Sequence, residues 1–162
     1  FAGGAARNVI VTTTGTGDNG KTNTIVGTDV FGDAQTEVIT STSSAEAVAG
    51  SKLFLTVTSV TSSAQFAGNI TVGSGTLCAQ AVRGSMRIRI KGMSVVSGGT
   101  AGDVEFFNGT PESGTVLFKS RTIGTANTTV DRTIPSEGVL FNNGGSVKYT
   151  VDVADNITVF FA

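Results

Sequence analysis

The segment of this chain that most resembles a chemical site is Gly15–Thr22, GTGDNGKT. Its spacing matches the phosphate-binding pattern G-x-x-x-x-G-K-[ST], in which backbone amides hold phosphates, Lys21 would reach the terminal phosphate and the threonine would hold magnesium. That chemistry needs a helix directly after the loop, because the helix N-terminus forms part of the anion site. The residues that follow, TNTIVGTDVFGD, are β-branched and interrupted by glycines, which disfavours a helix. We therefore predict a tight hairpin turn between two strands, with Asn19-Gly20 or Asp18-Asn19 at its positive-φ positions.

Side chains for acid–base or covalent catalysis are scarce. The chain has no histidine, so it lacks the usual general base near neutral pH and the commonest metal ligand. Cys78 is the only cysteine, which rules out an intrachain disulfide and a cysteine-based zinc site. We expect Cys78 to be a small buried hydrophobic residue. The prediction is a protein that is not an enzyme, with no catalytic, cofactor-binding or metal-binding residues.

The acidic residues form no arrangement typical of a glycosidase or a calcium site. Asp103 and Glu105 alternate along one predicted strand, and Asp152 and Asp155 lie close in sequence, but no D-x-[DN]-x-[DN]-G loop occurs. Alternating acidic residues on a strand more often face Lys or Arg on the neighbouring strand. We predict such cross-strand partners for Asp103 and Glu105.

A basic stripe lies in the segment Met86–Lys91, MRIRIK, which alternates apolar and basic residues with a period of two. The apolar members, which should face the core, are Met86, Ile88 and Ile90. The basic members, which should share the other face, are Arg87, Arg89 and Lys91. This face would either be solvated and block edge-to-edge aggregation, or dock an acidic surface of a neighbouring subunit or a polyanion. Arg83, just upstream, could extend the stripe.

The elements that must position these residues are strands. Twenty-two glycines, abundant Thr, Ser and Val and only two prolines favour strands joined by tight turns. A net charge of −1 gives no basic excess for nucleic acid, and no apolar run is long enough for a membrane helix. The best helical candidate, Ser43–Ala49, is short. Strand-like runs recur about every 8–12 residues, the spacing of a sandwich or barrel. The predicted runs are Arg7–Thr13, Thr22–Val30, Gln35–Thr40, Lys52–Val60, Gly68–Val72, Met86–Val96, Asp103–Phe107, Thr115–Lys119, Thr128–Ile134, Val139–Phe141, Ser146–Val151 and Asn156–Phe161.

The organisation along the chain suggests two modules. The tetrapeptide Asn-Ile-Thr-Val occurs at residues 69–72 and again at 156–159, and a stretch of small residues lies near 73–82. We predict an all-β, β-sandwich or jelly-roll-like fold with a flexible N-terminal arm (1–8), an N-terminal β module (9–78) and a C-terminal β-sandwich module (79–162). One continuous two-sheet sandwich is the alternative. Modules of about 80 residues bury little core, so they should depend on each other or on partner chains.

Both halves of the chain resemble β modules of structural proteins from tailed bacteriophages. In the first half the resemblance lies in V-x-V, I-x-G-T-D-x-x-G-x-x-x-T-E, G-S-K-x-F-x-T-V-x-S-V and N-I-T-V-G. In the second half it lies in K-G-x-x-V-x-S-G-G-T-A-G, in I-P-x-E-G-V-x-F at Ile134–Phe141, and in T-V-F-F at residues 158–161. The resemblance implies a virion structural protein, either a capsid decoration (cement) protein or a tail-associated or adaptor protein.

For a decoration protein, the resemblance implies a homotrimer or other homo-oligomer on the capsid surface that binds the major capsid protein or other virion subunits. We expect no nucleic-acid or membrane partner. Candidate partner contacts are Phe1, Arg7, Arg87, Arg89 and Lys91. The opening FAGGAARN looks like a flexible arm rather than a signal peptide, and its residues 1–6 could order on a neighbouring subunit. A carbohydrate-binding β-sandwich is the alternative from another class, although the chain has no Trp and one Tyr to stack on sugars.

Overall fold

The computed structural model describes residues 4–42 and 46–162. This part of the chain forms antiparallel β-sheets and contains no α-helix, which confirms the predicted all-β, sandwich-like fold. It contains no helix that is long and apolar enough to cross a membrane. The chain divides into two compact units, residues 1–76 and 77–162. Each unit has a hydrophobic core of its own.

The first unit consists of two small antiparallel sheets. One sheet has β2 at its centre between β3 and β5, and in the other β1 lies between β4 and the first part of β6. The strands are β1 (Ala6–Thr13), β2 (Thr22–Thr28), β3 (Ala34–Thr40), β4 (Ala47–Phe54), β5 (Thr56–Ser62) and β6 (Ile70–Gly84).

The core of the first unit joins both sheets. Val9 and Val11 of β1 pack with Ile25 of β2, Ile39 of β3 and Phe54 of β4. The alternation of the strands explains this arrangement, because every second residue of β1 and β2 points to the same face. Burial of each of these side chains stabilises the unit by about 1.5–3 kcal/mol.

The second unit also has two sheets. In one, the second part of β6 pairs with β12, followed by β8 and β9. In the other, β7 pairs with β10, β11 and β13. The remaining strands are β7 (Ile88–Ser97), β8 (Asp103–Asn108), β9 (Thr115–Arg121), β10 (Thr129–Thr133), β11 (Val139–Phe141), β12 (Gly144–Thr150) and β13 (Ala154–Phe161).

The core of the second unit lies between its two sheets. Ile90 and Val95 of β7 pack with Phe106 of β8, Phe141 of β11 and Val147 of β12. β10 and β13 pair with the same residues of β7, so they lie on its opposite sides. β13 therefore forms an edge of its sheet.

Two sequence-based strand boundaries are wrong. The predicted run Lys52–Val60 is two strands, because the chain passes at Leu55 from pairing with β1 to pairing with β2. The predicted run Gly68–Val72 ends too early, because β6 continues through the small-residue stretch near 73–82 to Gly84. The division between the two units, at 76/77, does lie within this stretch, where the sequence placed it. The short helical candidate Ser43–Ala49 is not a helix where the structure describes it, because β4 begins at Ala47, in agreement with the all-β prediction; residues 43–45 lie outside the described residues.

The prediction of a flexible arm at residues 1–8 is wrong for residues 5–8. Ala6, Arg7 and Asn8 belong to β1, and the side chains of Ala5 and Ala6 are buried. Deleting residues 1–6 would therefore remove two buried residues, Ala5 and Ala6, and Ala6 is the first residue of β1. Residues 1–3, including Phe1, lie outside the described residues.

Candidate functional site

The segment that matches the phosphate-binding pattern is a connection between two sheets. β2 begins at Thr22, so a strand follows the loop, which agrees with the sequence-based rejection of a helix. The predicted hairpin is wrong, because β1 pairs with β4 whereas β2 pairs with β3 and β5. Within the segment only Gly20 has a positive φ, of 75°. The loop lacks the strand-to-helix geometry that a phosphate cradle needs.

The charged side chains of this segment connect the loop before β2 to the loop before β6. Lys21 Nζ donates to Asp18 Oδ1 at 2.9 Å and to the Gln65 carbonyl oxygen at 2.6 Å, and lies 5.2 Å from the centroid of the Phe66 ring. Asp18 is fully buried, and its Oδ1 also accepts from the Ala67 N–H at 2.7 Å. The Ala67 hydrogen bond and the neighbouring Lys21 ammonium lower the pKa of Asp18 from its ordinary 3.8, against the opposing effect of burial. Lys21 is thus a structural cation.

The acidic pair predicted on one strand has the cross-strand partners expected of it. Lys119 Nζ lies 2.8 Å from Asp103 Oδ2 and 3.4 Å from Glu105 Oε1. Arg121 and Lys148 complete the network at 3.6 Å from Asp103 and 3.3 Å from Glu105. The hydrogen bond from Lys119 lowers the pKa of Asp103, and the same bond raises the pKa of Lys119. This prediction is confirmed, and the network ties β8 to β9 and β12.

Two of the three basic residues in the stripe, Arg89 and Lys91, contact groups of their own unit. Arg89 Nε lies 4.0 Å from Glu137 Oε2, and Lys91 Nζ donates to the Ser136 carbonyl oxygen at 3.1 Å. Both partners belong to the turn between β10 and β11, inside the I-P-x-E-G-V-x-F segment. Arg87 is exposed and precedes β7. Arg87 is therefore the member of the stripe that is most open to a partner.

The predicted orientation of the apolar residues in this stripe is partly confirmed. Ile88 and Ile90 are buried in the core of the second unit. Met86, by contrast, is 54% exposed. It precedes β7 and follows Ser85, whose φ of 44° marks a tight bend, so the strand alternation does not reach it.

Of the remaining residues singled out in the sequence, Arg7, Arg83 and Cys78 are described by the structure. Arg7 donates from Nε and Nη2 to the Gly75 carbonyl oxygen at 3.1 and 2.9 Å, which links β1 to β6 within the first unit. Phe1 lies outside the described residues. Arg83 is exposed near the end of β6. Cys78 is buried, as predicted.

One surface feature was missed by the sequence analysis. A groove of about 190 Å³, lined by uncharged residues that include Gln80, opens on the second unit between β6, β12 and β13. Val82, Val147, Ile157, Val159 and Phe161 contribute to its wall. Phe160 and Phe161 are 55% and 46% exposed, although such side chains are usually buried. The sequence does contain a signal for this surface, because residues 156–162, NITVFFA, have no charged side chain. The sequence analysis predicted a strand there but not an exposed surface.

Comparison with known proteins finds no match for this chain: no protein-family model matches it, and no curated protein or solved structure is significantly similar to it. Within residues 4–42 and 46–162, no group of three or more His, Cys, Asp or Glu residues could hold a metal ion. In these residues, exposed apolar strands are a more distinctive feature than clustered reactive side chains.

Proposed function

We propose that this protein is a virion structural protein of a tailed bacteriophage, most specifically a capsid decoration protein. It would bind the major capsid protein and stabilise the shell as a homotrimer or other homo-oligomer. Its action would be mechanical: apolar surface becomes buried between subunits, and strands pair across them. The same protein on the tail would act by the same contacts.

The observation that carries this proposal is the set of exposed apolar side chains on strands. On the second unit, Phe161 lines the groove and Phe160 is exposed on the other face of the same strand. On the first unit, Val26 and Val38 are exposed on the outer face of neighbouring strands that pair antiparallel. Grouped apolar residues on a surface with little charge favour protein–protein contact.

Further support comes from how the phage-like segments are used in this fold. G-S-K-x-F-x-T-V-x-S-V, at residues 50–60, covers the last part of β4, the crossing at Leu55 and most of β5. N-I-T-V-G leads into β6, and I-P-x-E-G-V-x-F forms the turn that engages Arg89 and Lys91. These segments form strands and turns of the two units, as expected of a structural module.

The test is the copy number of this chain in purified phage particles, measured by quantitative mass spectrometry against the major capsid protein. A ratio near one is the expected result for a protein that decorates the whole shell. A ratio of a few percent would replace decoration with a tail or vertex position. Absence from particles would overturn the virion proposal and favour a free binding module, for which carbohydrate binding is the next function to test.

A further inference from the structure

β13 is an edge strand with few features that protect it from pairing. Among the described residues it pairs with β7 alone, so its other side presents unpaired backbone groups. Exposed edges are usually blunted by charged side chains. β9 carries Lys119 and Arg121, whereas residues 156–162 carry no charged side chain. An unprotected edge of this kind is a template for another strand.

The side chains of β13 suit an apolar neighbour on one face. Ile157, Val159 and Phe161 line the groove, and no charged residue lines it with them. Asn156, Thr158 and Phe160 alternate with them along the strand, and all three are exposed. A strand added at this edge would cover the groove with its own inward-facing side chains. The uncharged groove and the unpaired edge therefore suit an extended, uncharged strand.

We propose that this occupant is β13 of a second copy of the chain, paired antiparallel across a two-fold axis near Thr158. This inference rests on the homo-oligomer part of the proposed function and names its contact. The ladder between β13 and β7 shifts register at residues 154–156 and again at 160–161, and Thr158 is the centre of the regular stretch between these shifts. An axis there places Ile157 opposite Val159 of the second copy, so the apolar rows of both copies join on one face.

The charge on β13 favours this antiparallel arrangement over a parallel one. Asp155, near the start of the strand, is its only charged residue. Antiparallel pairing places the two Asp155 carboxylates at opposite ends of the new ladder, whereas parallel pairing would place them near each other, where like charges destabilise the pair. Two-fold pairing of identical strands is also closed, so it ends at a dimer rather than a fibre.

The first test measures the mass of the purified full chain by light scattering over a wide range of concentration. We expect twice the mass of one chain for the wild type. Thr158→Lys would place two ammonium groups against each other at the axis, so this variant should have the mass of one chain. The matched control is Thr61→Lys on β5, which is also exposed on an uncharged edge strand and should remain a dimer.

The second test uses a cross-link, which reports proximity without depending on the effect of a charge. Opposed residues of an antiparallel pair have Cα atoms about 4.5–5.5 Å apart, within the range that a disulfide spans. Thr158→Cys should therefore give a covalent dimer on mild oxidation, and Thr61→Cys should not. Cys78 is buried and should stay out of the reaction.

The outcomes separate this inference from the proposed function. A wild-type chain that is monomeric or trimeric at all concentrations would overturn the β13 dimer, even if the copy number in particles confirmed a decoration role. A Thr158→Lys variant that remains dimeric together with a Thr158→Cys variant that fails to cross-link would also overturn it. Dissociation by Thr61→Lys instead would move the contact to β5. A β13 dimer in a protein absent from particles would leave this inference standing and refute the virion role.

Discussion

Asp18 illustrates how a residue within a catalytic-looking pattern can have a structural role. Its carboxylate is buried and accepts hydrogen bonds from the Lys21 ammonium and the Ala67 N–H, so it joins the loop before β2 to the loop before β6. A buried carboxylate without such partners would be costly to ionise. The pairing with Lys21 and Ala67 makes the ionised form the favourable one.

The pKa of Asp18 leads to a prediction for acid stability. Because the pKa is lower in the folded state than its ordinary 3.8, ionised Asp18 stabilises the fold above that pH. This stabilisation is lost as pH falls through the folded-state pKa. We expect Asp18→Asn to lower the urea midpoint at neutral pH and to make the midpoint less dependent on pH in acid.

The measurement is urea denaturation followed by circular dichroism at a series of pH values. Asp131→Asn is the matched control, because Asp131 is exposed on β10 and this change should leave the neutral-pH midpoint near that of the wild type. If Asp18→Asn kept the wild-type midpoint at neutral pH and the wild-type acid profile, the stabilising role of this carboxylate would be disproved.

At the scale of elements, the contact between β2 and β5 depends on a residue without a side chain. Gly27 lies where the register between these strands shifts, opposite Val57. A Cβ atom at this position would collide with the backbone carbonyl oxygen of Thr56 and press on the Phe54 ring. Since the first obstacle is backbone, no rotamer change can relieve it.

We therefore expect Gly27→Ala to destabilise the first unit by about 3 kcal/mol, near the upper end of the usual cost of overpacking. The measurement is the free energy of unfolding from denaturant titration. Gly73→Ala on β6 is the control, because a Cβ atom there meets nothing within 4 Å. Equal effects of the two substitutions would show that the space beside Gly27 can open.

At the scale of the whole molecule, the two units have separate cores. Phe54 is fully buried in the first and Phe106 in the second, where the Phe106 ring lies 5.4 Å from that of Phe118. Removal of a buried phenylalanine side chain typically costs about 3–5 kcal/mol. We expect the loss of stability to be greatest in the unit whose core has lost the phenylalanine side chain.

Phe54→Ala and Phe106→Ala form a matched pair for this prediction. Native-state hydrogen exchange should show that Phe54→Ala reduces the protection of β1 to β4 most, and that Phe106→Ala reduces the protection of β7, β8, β11 and β12 most. Uniform loss of protection along the whole chain in both variants would instead mean that the two units unfold as one cooperative body.

Local patterns in the sequence predicted most of the elements. The alternation of residues and the placement of glycines identified the strands and excluded a helix after the phosphate-loop pattern. They also anticipated the partners of Asp103 and Glu105 and the burial of Cys78. These features follow from residues close in sequence, because the pleat of a strand and the conformation of a turn are set within a few residues.

Only the tertiary structure decided which strands are neighbours. Nothing near Leu55 in sequence shows that the chain changes sheets there, and nothing near Met86 shows that the alternation begins two residues later. Lys91 donates to a carbonyl oxygen of a turn 45 residues away. The position of β13 at an edge depends on its pairing with one side of β7 while β10 pairs with the other. Strand pairing depends on distant segments that compete for the same edges, and this competition leaves no local trace in the sequence.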